Sequence, residues 1–222
     1  MTKSQWLKLT ASDGFELSAY EASPDGEARG SLVVVQEIFG VNAHIRRVAD
    51  GYAADGYRVI APAIFDRAEP GFEAGYDAEG RDKGIALMQK ISGADSMRDI
   101  AAAVEALQGS GKIGVIGYCL GGSYAWLAAS QLPIAASVMY YGGQIGKTWD
   151  RKPNCPVQGH FGLLDTHIPQ SDVDKVRIYP NVEIFTYQAD HGFNCDERAS
   201  YEPASAKLAR ERSLAFLRAH VG

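Results

Sequence analysis

The residues Gly117-Tyr118-Cys119-Leu120-Gly121-Gly122 follow a run of apolar and β-branched residues and precede a helical pattern. They match the pattern G-x-S-x-G with cysteine in the nucleophile's place. A strand that turns abruptly into a helix forces its central residue into strained backbone geometry. Side chains two positions to either side would collide there, which is why glycines flank it. The reward is a nucleophile raised above the sheet beside the positive end of a helix, where a thiolate and an oxyanion are both favoured. Taken alone, the motif also fits a glycine-rich turn around a buried structural cysteine. A dinucleotide-binding loop fits less well, because the third position counted from Gly117 is Cys119 rather than glycine.

A nucleophile of this kind needs an acid and then a base later in the chain. Asp165, in Gly162-Leu-Leu-Asp-Thr-His-Ile-Pro169, is the acid candidate. His191, in Ala189-Asp-His-Gly-Phe193, is the base candidate. Each stands just past an expected strand, on the edge where ligand sites of open α/β sheets lie. Separately, Asp165 also reads as a loop or cap carboxylate and His191 as a loop histidine. Chain order, strand ends and elbow agree only in the catalytic reading. His44 falls in an expected helix, His160 in a strand and His220 at the C-terminus. His167 is the serious rival, but it lies two residues from Asp165 and would leave no separate element to supply the base.

The elements that must position these residues alternate along the chain. Segments Trp6–Leu9 and Phe15–Tyr20 around Asp13-Gly14 read as an antiparallel hairpin. Leu32–Val35 reads as a strand buried on both faces. A helix capped by Asn42 should run to about Ala54, where Asp55-Gly56 ends it. Strands are expected at Arg58–Ala61, Lys112–Gly117, Ala135–Tyr141, Pro156–Phe161 and Val182–Tyr187. Helices are expected at Asp95–Leu107, Leu120–Ala129, after Pro169, and at Pro203–His220. Such alternation implies right-handed crossovers and a mostly parallel central sheet flanked by helices, as one α/β domain spanning 1–222. The Gly- and charge-rich segment Phe65–Gly84 is expected to be a loop flanking the active site.

At these positions the sequence resembles the dienelactone hydrolase family of the α/β-hydrolase fold. The resemblance is carried by Gln36-Glu-Ile-Phe-Gly-Val-Asn42, Gly117–Gly122, Tyr140-Tyr-Gly142 and the contexts of Asp165 and His191. It implies Cys119 as nucleophile, His191 as base and Asp165 as its orienter. It further implies that Glu37 helps control the cysteine's protonation and that the backbone N–H groups of Ile38 and Leu120 form an oxyanion hole. The reaction implied opens dienelactone to maleylacetate, without a cofactor or metal, in a monomer. A broad carboxylesterase or thioesterase of the same fold is the alternative, and a non-catalytic small-molecule-binding protein the more distant one. Tyr141 matches a family pocket residue, though a strand-end tyrosine also serves packing. The family grips the lactone carboxylate with two arginines. Arg81 is a candidate for the first. Four residues after His191, where the second belongs, stands Cys195, and Arg198 lies three positions further on.

Composition narrows the partners. Of 222 residues, 46% are hydrophobic and 22% charged, a globular balance, and the net charge of −5 holds no basic block for nucleic acid or an anionic membrane. No apolar run approaches the ~20 residues of a membrane span, and residues 1–10 lack the apolar core of a secretory signal. Three cysteines are too few for a disulfide scaffold, and the five histidines have no metal-ligand spacing. The expectation is a cytoplasmic enzyme acting on a small ester or lactone.

Overall fold

The computed structural model describes residues 2–222. Strands β1 (Lys3–Thr10) and β2 (Glu16–Ser23) pair antiparallel, from Lys3 opposite Ser23 to Thr10 opposite Glu16. The chain reverses at Asp13-Gly14. There the Asp13 carboxylate accepts the Phe15 N–H at 3.2 Å and Gly14 takes φ +85°, so the expected hairpin forms for the expected reason. Strand β3 (Gly30–Val35) is buried throughout. Helix α1 (Ala43–Ala54) begins where the Asn42 side chain accepts the Ile45 N–H at 3.2 Å. Strand β4 (Tyr57–Pro62) pairs parallel with β3 and antiparallel with β2. The strand order in this first compact unit, which ends at Ile113, is therefore β1-β2-β4-β3.

The stretch from Phe65 to Gly84 is not a loop throughout. It becomes helical at Ala78, where α2 (Ala78–Met88) starts under a cap in which Asp77 Oδ1 accepts the Gly80 N–H at 2.7 Å. Two buried glycines hid this helix from the periodicity. A Cβ on Gly80 would strike the Gly75 carbonyl, and one on Gly84 the Ile38 carbonyl. Helix formers are replaced there because backbone must approach backbone. Residues before α2 are held to the segment after β3 by a bridge between Gly40 and Glu73 and by the Ala74 N–H donating to the Phe39 carbonyl at 3.0 Å.

Helix α3 (Gly93–Ala106) completes the unit and contributes the buried carboxylate of Asp99. Arg67 donates to both oxygens of Asp99 and to Asp13, and its guanidinium lies 4.5 Å over the Phe15 ring. Burial pushes the Asp99 carboxyl up and the Arg67 charge pulls it back. One arginine thus ties the hairpin turn, the segment after β4 and α3 together.

The second unit, Gly114–Gly222, continues from β5 (Ile113–Tyr118) through α4 (Leu120–Gln131), β6 (Ala136–Tyr140), α5 (Ile145–Thr148) and β7 (Val157–Gly162). It then runs through α6 (Gln170–Val176), β8 (Val182–Tyr187) and α7 (Pro203–His220). Strands β5-β6-β7-β8 lie in that order and are all parallel. Each turn after a strand therefore opens on the same edge. Helix α4 is buried on nearly every side, as its Ala- and Gly-rich sequence permits. Among the described residues this makes eight strands, mostly parallel, with helices between them and the antiparallel pair first in the chain. The short α5 has no counterpart in the sequence reading.

Candidate active site

Cys119 sits between β5 and α4 with φ 54° and ψ −112°, a conformation that costs a non-glycine residue about 1–3 kcal/mol. The surroundings enforce it. The Cys119 N–H donates to the Tyr140 carbonyl at 3.0 Å, and the Cys119 carbonyl accepts the Ser123 N–H at 3.2 Å. A Cβ on Gly117 would strike the Gly121 backbone, and one on Gly122 would meet the Tyr140 carbonyl and Gly142. Those glycines are therefore steric requirements of the turn. The side chain of Cys119 does not cap α4, so its sulfur is available at the helix's positive end.

The two later residues converge on it. His191 Nε2 lies 3.2 Å from Cys119 Sγ, and His191 Nδ1 lies 2.8 Å from Asp165 Oδ2. The other Asp165 oxygen accepts the main-chain N–H of His167 at 2.8 Å, so both oxygens of the buried carboxylate are engaged. With Nδ1 facing a carboxylate, the imidazole donates there and turns Nε2 to the sulfur. Burial disfavours the charged ring, but hydrogen bonds to Asp165 and Cys119 and their charges outweigh it, and His191 is pushed up to about 10. The three residues form one hydrogen-bonded chain at the carboxyl ends of β5, β7 and β8.

The other candidates stand as follows. Glu37, just after β3, is 1% exposed, and the Tyr76 hydroxyl donates to its Oε2 at 2.8 Å. Tyr76 also packs its ring 4.4 Å from that of Phe39. Sequence reasoning did not single out Tyr76, since a tyrosine in a glycine-rich stretch carries no spacing signal. Ile38 is fixed by the close approach of Gly84 to its carbonyl. Leu120 is the first residue of α4, so its N–H faces out of the helix start. Arg81 lies exposed on α2 and is paired with its neighbour Asp82 at 2.9 Å. Arg198 lays its side chain against Gly192, beside His191. Tyr141, at φ 39°, is fully buried with its ring 5.1 Å from that of His191 and 5.5 Å from Phe193. Cys155 and Cys195 are buried, and burial raises the Cys155 thiol to about 11.

His160, in β7, belongs to a different arrangement. Its Nδ1 is 2.8 Å from the Tyr187 hydroxyl, and its Nε2 is 3.0 Å from both Gln158 Oε1 and Ser213 Oγ. Gln158 spends its amide N–H on Glu183 at 2.9 Å, which leaves its oxygen for the ring. Nε2 therefore carries the proton and Nδ1 accepts from Tyr187. Arg212 donates to the same Tyr187 oxygen at 3.2 Å, and Ser213 lies 2.8 Å from the Tyr140 hydroxyl. Burial, helped by the Arg212 charge, lowers His160 to about 3, so the ring is neutral.

Comparison with known proteins follows the same line. The dienelactone hydrolase family model matches residues 17–221. A carboxymethylenebutenolidase of Pseudomonas putida is 30% identical, over 95% of this chain and 94% of that protein. A Synechocystis protein named “Putative carboxymethylenebutenolidase” is 36% identical, over 93% of each. The crystal structure of a Klebsiella pneumoniae protein titled “Putative Dienelactone Hydrolase” superposes with a TM-score of 0.83 at 30% identity, covering 97% of this chain and 98% of that one. Among the described residues no helix is long and apolar enough to cross a membrane. The chain has the α/β-hydrolase fold, and it belongs to the dienelactone hydrolase family of hydrolases acting on lactones and esters.

Proposed function

We propose that this hydrolase opens a small lactone or cleaves a small carboxylic ester through Cys119, His191 and Asp165, and that its substrates include dienelactone, converted to maleylacetate. The observation that carries the reading is the continuous chain Cys119 Sγ–His191 Nε2 at 3.2 Å and His191 Nδ1–Asp165 Oδ2 at 2.8 Å. The raised His191 supports an imidazole able to hold the cysteine's proton, so that the sulfur reacts as a thiolate.

The thiolate attacks the carbonyl carbon, and the carbonyl electron pair moves onto oxygen. The backbone N–H of Leu120 and, by the family pattern, that of Ile38 receive this oxyanion, each such donor contributing roughly 3–4 kcal/mol. Collapse breaks the C–O bond, and the departing oxygen takes the proton from His191 Nε2. In a lactone this oxygen remains attached to the acyl chain. The neutral imidazole then accepts a proton from water, whose oxygen attacks the thioester carbon. The second collapse breaks the C–S bond, and releases the acid with the thiolate and imidazolium restored. Asp165 keeps the imidazole in the required tautomer throughout. By the family pattern Glu37, whose Oε2 accepts from the Tyr76 hydroxyl, contributes to control of the cysteine's protonation. Arg198, Arg81 and Tyr141 are the proposed substrate contacts, with Arg198 the arginine that lies beside His191.

The test is hydrolysis of dienelactone and of simple p-nitrophenyl esters, followed by mass spectrometry with wild type and Cys119→Ala. Cys119-dependent opening of dienelactone supports the full reading. Turnover of simple esters alone keeps the mechanism and moves the substrate to a carboxylesterase or thioesterase range. Equal hydrolysis by Cys119→Ala would remove the nucleophile from the assignment.

A further inference from the structure

The segment that follows β3 opens with a buried side chain that no step above uses. We propose that Gln36 is a positioning residue, whose side-chain amide orients the Glu37–Ile38 peptide and so aims the Ile38 N–H as an oxyanion donor. The inference rests on the ester-hydrolase reading and deepens its oxyanion step. Gln36 acts through that peptide rather than on the substrate.

Gln36 comes directly after the last residue of β3 and is fully buried. Its Nε2 donates to the Glu37 carbonyl at 3.2 Å. Its Oε1 is buried as well and meets no donor among the described residues. The reverse placement of the amide would set two oxygens against each other, so the donor belongs on the Glu37 side. A buried amide oxygen left in this way costs about 1–3 kcal/mol. A methionine or leucine of similar size would fill the place without that cost. The folded chain therefore keeps a destabilising polar group for a single bond, and its explanation lies in what that bond controls.

The Glu37 carbonyl is half of a peptide unit whose other half is the Ile38 N–H. The unit is planar and trans, so its C=O and N–H point in opposite directions, and fixing one fixes the other. Among the described residues no main-chain carbonyl takes the Ile38 N–H. Donation into the Glu37 carbonyl also polarises the unit, which makes its N–H a stronger donor. On the following side the Ile38 carbonyl packs against Gly84 of α2, where an added Cβ would lie 2.1 Å from the oxygen. That contact restrains the carbonyl after residue 38. Rotation of the peptide before it is restrained by Gln36.

The test uses Gln36→Met, which keeps the length of the side chain and removes both polar atoms, with Gln36→Leu as a second variant. Both tetrahedral intermediates use the same donor. On p-nitrophenyl acetate kcat should therefore fall about tenfold whichever step limits, with KM within about twofold of wild type. Alkylation of Cys119 by iodoacetamide displaces iodide and forms no oxyanion, so its rate should stay within about twofold. An unchanged kcat in a variant that folds overturns the proposal. So does a loss of kcat matched by an equal loss of alkylation, because the substitution then disturbs the cysteine rather than the peptide. A measurement on the wild type depends on neither variant. When 1,1,1-trifluoroacetone adds to the Cys119 thiolate and generates an oxyanion, the Ile38 amide proton and one Gln36 side-chain amide proton should both shift downfield by NMR. Anything less than both shifts also overturns it. Failure of the ester-hydrolase reading looks different, as absence of Cys119-dependent hydrolysis in the wild type.

Discussion

His191 and His160 lie in the same compact unit, and their surroundings drive them in opposite directions. Each is surrounded by hydrogen-bonding partners, and burial disfavours the cation at both. His191 faces an acid on one nitrogen and a thiol on the other, and is pushed up to about 10. His160 faces two hydroxyls and an amide oxygen, with the nearby guanidinium of Arg212 adding to burial, and is lowered to about 3. Burial alone therefore does not decide a histidine's charge. The charge of its partners does. The first arrangement strings a thiol, an imidazole and a carboxylate along one line of hydrogen bonds. The second ties α7, through Ser213 and Arg212, to β6, β7 and β8 through Tyr140, His160 and Tyr187.

The comparison breaks most sharply in catalysis. His191→Gln should lower kcat on any substrate of the enzyme at least about a thousandfold, because both proton transfers lose their carrier. At pH 6 it should also slow iodoacetamide alkylation of Cys119 several-fold. An undiminished alkylation rate would mean that the imidazole does not hold the cysteine's proton. Asp165→Asn should lower kcat by about a hundredfold or more by freeing the wrong tautomer. By NMR, His191 should then titrate well below about 10, since the carboxylate is one of the groups that raise it.

His160→Leu should act on stability instead. It strands Tyr187, Ser213 and Gln158 without their ring partner, at a cost of about 3 kcal/mol in urea unfolding. The pH dependence sharpens the point. His160 is neutral when folded down to about pH 3 but takes a proton near 6.5 once unfolded. Between those limits the unfolded chain binds more protons, so wild-type stability falls on acidification by up to about 1.4 kcal/mol per pH unit from this residue. Stability present at neutral pH is thus lost as pH drops toward 3. His160→Leu should show a shallower acid slope, and an unchanged slope would place the titration elsewhere. The smallest effect is expected for Ser213→Ala, about 1 kcal/mol, because the Nε2 proton keeps Gln158 as acceptor.

Where the sequence was legible, local chemistry agreed with tertiary demand. Strand β8 and helix α7 span the expected residues, with α7 announced by Pro203 at its first turn. The elbow was legible because a strained turn between strand and helix excludes side chains at fixed spacings, and Gly117 and Gly122 record that exclusion. Helix α2 was not. Its glycines at 80 and 84 serve close contacts with residues 75 and 38, so the sequence follows those contacts rather than helical propensity. Tyr76 escaped notice for a related reason. Its partner Glu37 is 39 residues away, and no local pattern links them.

The amino-acid sequence by itself determined the order of the strands and of most helices, the elbow and its cysteine, and the carboxylate and imidazole past the ends of β7 and β8. Each follows from short-range sterics, capping or hydrophobic periodicity, which act over a few residues. Only the tertiary structure decided which histidine is charged. His160 and His191 are the same side chain near the ends of neighbouring strands, and their difference lies in atoms contributed from 2 to 72 residues away. A proton's free energy depends on the charge and polarity brought within a few ångströms, and that is set by packing.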